Sequence, residues 1–122
     1  MAEYVARERD IFQSYGQRNG YLRANLHLYA SRRKPVYSGY RSSWDWGERT
    51  GAGLIILRDA PLVVEERDRV DPGDRALVML YPLHPEHWVD ISVGFEMELR
   101  EGSTLIGRAS IVERVPPASN GA

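Results

Sequence analysis

From Tyr21 to Tyr29 apolar and polar positions alternate: Leu22, Ala24, Leu26 and Leu28 fall on one side, Tyr21, Arg23, Asn25, His27 and Tyr29 on the other. A two-residue period of this kind predicts a strand with one buried face. The stretches "GAGLIIL" and "PLVVEE" predict two short apolar strands, interrupted at Asp59 to Pro61. "VDPGDR" is a turn, since Pro72 presets its own dihedral and Gly73 tolerates a positive one. "RALVMLYPL" predicts a strand ending at Pro82 to Pro85, where two prolines remove ladder donors. In "WVDISVGFEMEL" Phe95, Met97 and Leu99 share one face, with Glu96, Glu98 and Arg100 on the other. Residues 105–112 alternate as well, and Glu101, Gly102, Ser103 and Thr104 join the last two strands into a hairpin. Between Ser31 and Arg49 the regularity lapses into a loop rich in arginine and aromatics.

The chain divides accordingly. Residues 1–20 form a polar N-terminal arm, either a short helix packing through Tyr4, Val5, Ile11 and Phe12 or a loose extension; 21–115 form the body; 116–122, "PPASNGA", read as a disordered tail. Six or seven short strands, turn signals at regular spacing and no long helical pattern predict an all-β barrel or sandwich. Closure is favoured because it removes strand edges.

At 122 residues this is one domain, large enough for a core without metal or disulfide staples. Sixteen basic against seventeen acidic residues give a net charge of −1, so attraction to nucleic acid or an anionic membrane must be local. Cysteine is absent, which excludes disulfides, thiolate metal sites and a cysteine nucleophile. The start "MAEYVARERD" places charges where a secretory signal needs an apolar run, and no segment has the apolar length of a membrane span. A cytoplasmic protein that does not meet a membrane is expected.

Candidate chemistry narrows quickly. Gly102 and Gly107 carry the G-x-x-x-x-G spacing of a phosphate loop, but Arg108 and Ala109 stand where a lysine and a hydroxyl are required, and the segment reads as strand rather than helix. No nucleotide cofactor is expected. His84 and His87 flank Glu86, yet Pro85 denies them a shared helical face and three convergent metal ligands are not visible. No G-x-S-x-G elbow or ordered triad occurs. Glu96 and Glu98 read as a solvated outer face. Tyr37, Tyr40, Trp44 and Trp46, interleaved with Arg32, Arg33, Lys34 and Arg41, suit either stacking and phosphate neutralisation on nucleic acid or capping of the barrel's open end.

From about Tyr21 to Val115 the order of these elements resembles the C-terminal barrel, the third domain, of the elongation factor Tu family. "RRKPVYSGYRSSWDW" is similar to the family's basic loop followed by a Gly-Tyr-Arg-Pro-Gln-Phe-like segment, with Gly39, Tyr40 and Arg41 matching outright. "VDPGDRALVML" resembles its Met-Pro-Gly-Asp turn and next strand, "LHP" its His-Pro corner, and "FEMELREGSTLIGRASIVERV" its closing Arg-Glu-Gly hairpin. The resemblance implies a six-stranded antiparallel Greek-key barrel, standing here without the GTPase domain and hence without GTP hydrolysis. It also implies contact with the T-stem of aminoacyl-tRNA, with the GTPase domain or with the exchange factor. Glu101 matches the glutamate that reaches the T-stem, while Arg32 and Arg33 keep positive charge near it. Ser43 replaces a glutamine, Ala52 a threonine, and Ser42 the proline of the loop.

The function expected from this reading is a non-enzymatic module binding a protein or a tRNA of the translation apparatus. Its site residues are Arg32, Arg33, Tyr40, Arg41, Ser43, Trp44, Ala52 and Glu101, and no cofactor or metal is called for. Two alternatives stand beside it: a decoy or immunity protein imitating the elongation factor's surface, and a small-barrel enzyme of unknown class.

Overall fold

The computed structural model describes residues 2–118, with side chains from residue 11 onward. Six strands close into an antiparallel barrel: β1 (Tyr21–Leu28), β3 (Arg41–Asp45), β4 (Arg58–Val64), β6 (Arg75–Leu80), β7 (Glu96–Glu101) and β8 (Thr104–Val115). They run in the order β1-β6-β4-β3-β7-β8, and β8 pairs back onto β1. A separate two-stranded ribbon joins β2 (Val36–Tyr37) to β5 (Arg69–Val70). The alternation in the sequence decides which side of each strand faces inward. Leu22, Ala24, Leu26 and Leu28 of β1 meet Val78 and Leu80 of β6 and Met97 and Leu99 of β7 in one core around Trp44, which is fully buried.

Local chemistry fixes the corners. Asp74 N donates to Asp71 O at 3.0 Å across Pro72 and Gly73, and Gly73 has φ 87°. The β7–β8 hairpin closes on Gly102 and Ser103, between the paired Glu101 and Thr104; Gly102 has φ 60°, the first central position that favours glycine in a two-residue loop. Gly107 answers a different need, because a Cβ there would lie 2.7 Å from His27 O on the neighbouring strand β1.

Two sequence expectations change, and the alternative left open for the N-terminal arm is decided. Residues 51–57 are not a strand: apart from one bridge, Arg49 to Ile55, they form a turn and loop, with Leu54 67 % exposed. Asp59 to Pro61, read as an interruption, instead lies inside β4. Pro61 fits because full pairing with β6 stops at Leu62 and Leu80, while its carbonyl still accepts from Tyr81 N at 3.0 Å. The N-terminal arm is an 18-residue helix, α1 (Ala2–Asn19). It ends at Gly20, whose φ of 78° and N–H to Gly16 O at 2.7 Å make a left-handed C-cap. Among its described side chains Phe12 and Tyr15 pack on the outer barrel wall while Ile11 is exposed, and the expected packing of the Tyr4 and Val5 side chains falls outside the described residues. Phe12 stacks on Tyr81 at 5.3 Å, and the Tyr15 hydroxyl donates to Pro82 O at 2.5 Å.

Of the expected tail, residues 116–118 lie against the end of α1, with Ala118 N donating to Gln17 O at 2.8 Å; 119–122 fall outside the described residues. No helix among the described residues is long and apolar enough to cross a membrane.

Candidate partner-binding surface

The loop after β1 and the tip of the β7–β8 hairpin meet at one corner of the barrel. Tyr29 N donates to Ile106 O at 2.9 Å and Arg32 N to Tyr29 O at 3.2 Å, which turns the chain so that Arg32 faces the hairpin. Its guanidinium grips Glu101 with two bonds, Nε to Oε1 at 2.8 Å and Nη2 to Oε2 at 3.2 Å, the fork geometry that suits a carboxylate. Arg32 Nη1 also donates to the carbonyls of Lys34 and, at 3.0 Å, Pro35. The same guanidinium lies 5.5 Å from the centre of the Tyr40 ring. Arg32 holds the Glu101 carboxyl below its ordinary range, and burial, followed by the charge of Glu101, pushes the Tyr40 phenol up to about 12. Both groups therefore keep one protonation state across neutral pH. Arg33 and Lys34 on this loop are exposed and have no ion-pair partner among the described residues.

Along the adjoining wall β3 and β4 build a second constellation. Arg41 and Ser43 point outward on β3 and share Asp59 of β4: Arg41 Nε donates to Oδ2 at 3.0 Å and Ser43 Oγ to Oδ1 at 2.7 Å. The register that sets Ser43 opposite Arg100 places the Tyr40 end of β3 beside the hairpin tip. Next along β3, Asp45 is only 3 % exposed. It accepts from Gly47 N at 2.8 Å, Arg49 Nη1 at 2.8 Å and Arg100 Nε at 2.8 Å, with Arg100 also bound to Glu98 at 2.9 Å. These donors, Arg49 foremost, lower the Asp45 carboxyl to about 2. Sequence reasoning missed Asp45 and Asp59; no motif marks them, because Arg100, Arg41 and Ser43 reach them from other strands and the Asp45 loop partners Gly47 and Arg49 form no recognisable pattern.

Of the expected site residues, Arg32, Tyr40 and Glu101 come together, Arg33 adjoins them, and Arg41 and Ser43 lie on the neighbouring wall. Trp44 does not belong. Strand alternation turns it inward, and its indole N–H donates to Ser42 Oγ at 2.7 Å in the core, so stacking on a partner is ruled out. Ala52 does not belong either, since it sits in the exposed turn beyond the opposite end of β3. Trp46 takes the capping role, packing edge-on against Trp88 at 4.9 Å and against Phe95 at 6.1 Å. His87 lies on a short 3-10 turn, Pro85–Trp88, and His84 just before it, with rings 6.0 Å apart and Glu86 Oε1 at 3.5 and 3.9 Å. Neither these three side chains nor any other such group among the described residues is arranged to hold a metal ion.

No family model matches this chain, and no curated protein matches it.

The corner can therefore present a fixed shape: a half-buried aromatic ring, a bidentate ion pair tying two loops, and beside them two cations without an ion-pair partner among the described residues. It is suited to recognition by contact.

Proposed function

We propose that this barrel is a non-catalytic binding module of the translation apparatus, docking on a protein partner through the Arg32–Tyr40–Glu101 corner. The observation that carries the reading is the joining of the arginine loop to the hairpin tip, two stretches 69 residues apart, in one held surface beside Arg33 and Lys34. The order of motifs shared with the third domain of elongation factor Tu supports translation as the setting and the cytoplasm as its place. Preorganisation favours a protein partner, because side chains already fixed lose little freedom on binding.

A tRNA partner is less well supported. Phosphate neutralisation needs cations without competing anions, whereas Arg32, Arg41, Arg49, Arg58 and Arg100 each hold a carboxylate. The burial of Trp44 also removes a stacking platform.

Affinity capture from lysate, with and without nuclease, tests this. A translation protein retained after nuclease, and lost with Arg33→Ala or Glu101→Ala, is the expected result. Partners unchanged by both substitutions would refute the corner; capture of tRNA that vanishes with nuclease or rising salt would replace the protein reading with an RNA one.

A further inference from the structure

Between α1 and the outer wall of the barrel lies a cleft of about 520 Å³, within the size range of sites that take small molecules. Val63 of β4, Met79 of β6 and Tyr81 form its floor, Gln13 and Gln17 of α1 its upper edge, and Val115 with Pro116 one side. The helix is set down at this end by aromatic contacts on Tyr81, from Phe12 at 5.3 Å and Tyr15 at 6.5 Å, while Tyr21 packs on the same ring at 5.4 Å. Gly16 permits the approach, since a Cβ there would come within 2.9 Å of the Tyr81 ring. The cleft is thus bounded on three sides by held elements, the third pinned by Ala118 N to Gln17 O.

Two features define what would fit. Among the described residues no formally charged side chain lines the cleft. On the wall beside it, the Arg23 guanidinium opposite Met79 is already committed to Glu65 at 2.7 and 2.9 Å and to Glu113 at 3.0 Å. A charged ligand would lose its hydration without gaining a counter-ion. The second feature is the Tyr81 hydroxyl. Tyr81 is 3 % exposed, yet among the described residues its O–H donates only to Met79 Sδ, at 3.4 Å, and a thioether is a poor acceptor. Buried phenols ordinarily find an oxygen or nitrogen partner. Burial also keeps this phenol protonated, and so a donor, far above neutral pH.

We propose that this cleft is a binding site for a neutral, mainly apolar small molecule bearing a hydrogen-bond acceptor, a carbonyl or ring nitrogen, which takes the Tyr81 O–H in place of Met79 Sδ. Gln13 and Gln17, one helical turn apart on the open edge, supply amide groups for a second polar atom of the ligand. The apolar body lies on Val63, Met79 and Val115. The site is separate from the Arg32 corner and stands whether or not that corner binds a translation protein.

The test is an NMR titration of the full chain with acetonaphthone and with ethylnaphthalene, which has the same ring system but no acceptor. Saturable shifts at the Val63, Met79 and Val115 methyls are expected, with the ketone bound roughly 3- to 10-fold more tightly, the range of one net hydrogen bond. Tyr81→Phe keeps the ring contacts and should erase that preference, leaving ethylnaphthalene binding unchanged. Gln13→Trp, made at an exposed position that cannot disturb the core, should fill the cleft and weaken both ligands. Absent or non-saturable shifts, a ketone preference that survives Tyr81→Phe, or binding indifferent to Gln13→Trp would each overturn the proposal.

Discussion

Asp45→Asn offers the sharpest check on how the outer wall is held. The carboxylate is buried, and its donors come from the following loop and from β7, so it ties three segments together. Its descent from an ordinary 3.8 to about 2 means that ionised Asp45 contributes about 2 kcal/mol to stability. The sign follows from the direction. A depressed carboxyl contributes fully above its unfolded value and loses that contribution as pH falls from there through about 2. Asparagine keeps the shape but not the charge, so at neutral pH the variant should be less stable by about 2 kcal/mol, rising toward 3 if Arg100 is left underpaired. Urea unfolding followed by tryptophan fluorescence reads this directly, because Trp44 is buried in the core. Measured from about pH 7 down to about pH 2, the gap between parent and variant should stay constant and then close. The other lowered carboxyls, Glu48, Glu65 and Glu101, weaken both proteins alike and drop out of the difference. A gap below about 0.5 kcal/mol at neutral pH, the range of an ordinary surface change, or one that does not narrow in acid, would refute the assigned role.

Other outcomes follow from the same geometry. A double-mutant cycle on Arg32→Ala and Glu101→Ala should give a coupling of about 1 kcal/mol, kept modest by Glu101 being 42 % exposed; additivity would mean that the two loops are not tied. Trp44→Ala should cost about 3–5 kcal/mol in chemical denaturation while Arg33→Ala stays within about 0.5, and a mild Trp44→Ala would contradict its place in the core. Gly107→Ala forces a Cβ against His27 O and should cost about 1–3 kcal/mol, checked by thermal unfolding. Gly16→Leu should release α1 without unfolding the barrel, seen as loss of the Tyr81 ring-current shifts and early proteolysis ahead of residue 20; an undisturbed Tyr81 environment would show that the helix is anchored elsewhere.

Much of the barrel was legible along the chain because strand alternation and turn chemistry are local. The inward faces of β1, β6 and β7, the Pro72–Gly73 turn and the two-residue loop at Gly102 each depend on neighbours a few residues away. Where the reading slipped, the deciding partner was distant. The apolar run at 51–57 has the composition of a strand, but among the described residues no second strand pairs with it beyond a single bridge. Pro61 looked like a break, but β3 supplies its partner on the side where its missing N–H is not needed. α1 could not be told from a loose arm by its own polar sequence, since what positions it is an aromatic ring on the far side of the chain's midpoint.

The candidate surface divides in the same way. Composition and motif order marked Arg32, Tyr40 and Glu101 as residues of interest, and a chain of this pattern could bring them to one barrel. Only closure of the barrel set Arg32 against Glu101, turned Trp44 from a surface aromatic into the centre of the core, and left Ala52 at the other end. Periodicity determines which side chains share a face; it carries no information about which face, loop or hydrogen bond will lie opposite, because that is fixed by the pairing of strands remote in sequence.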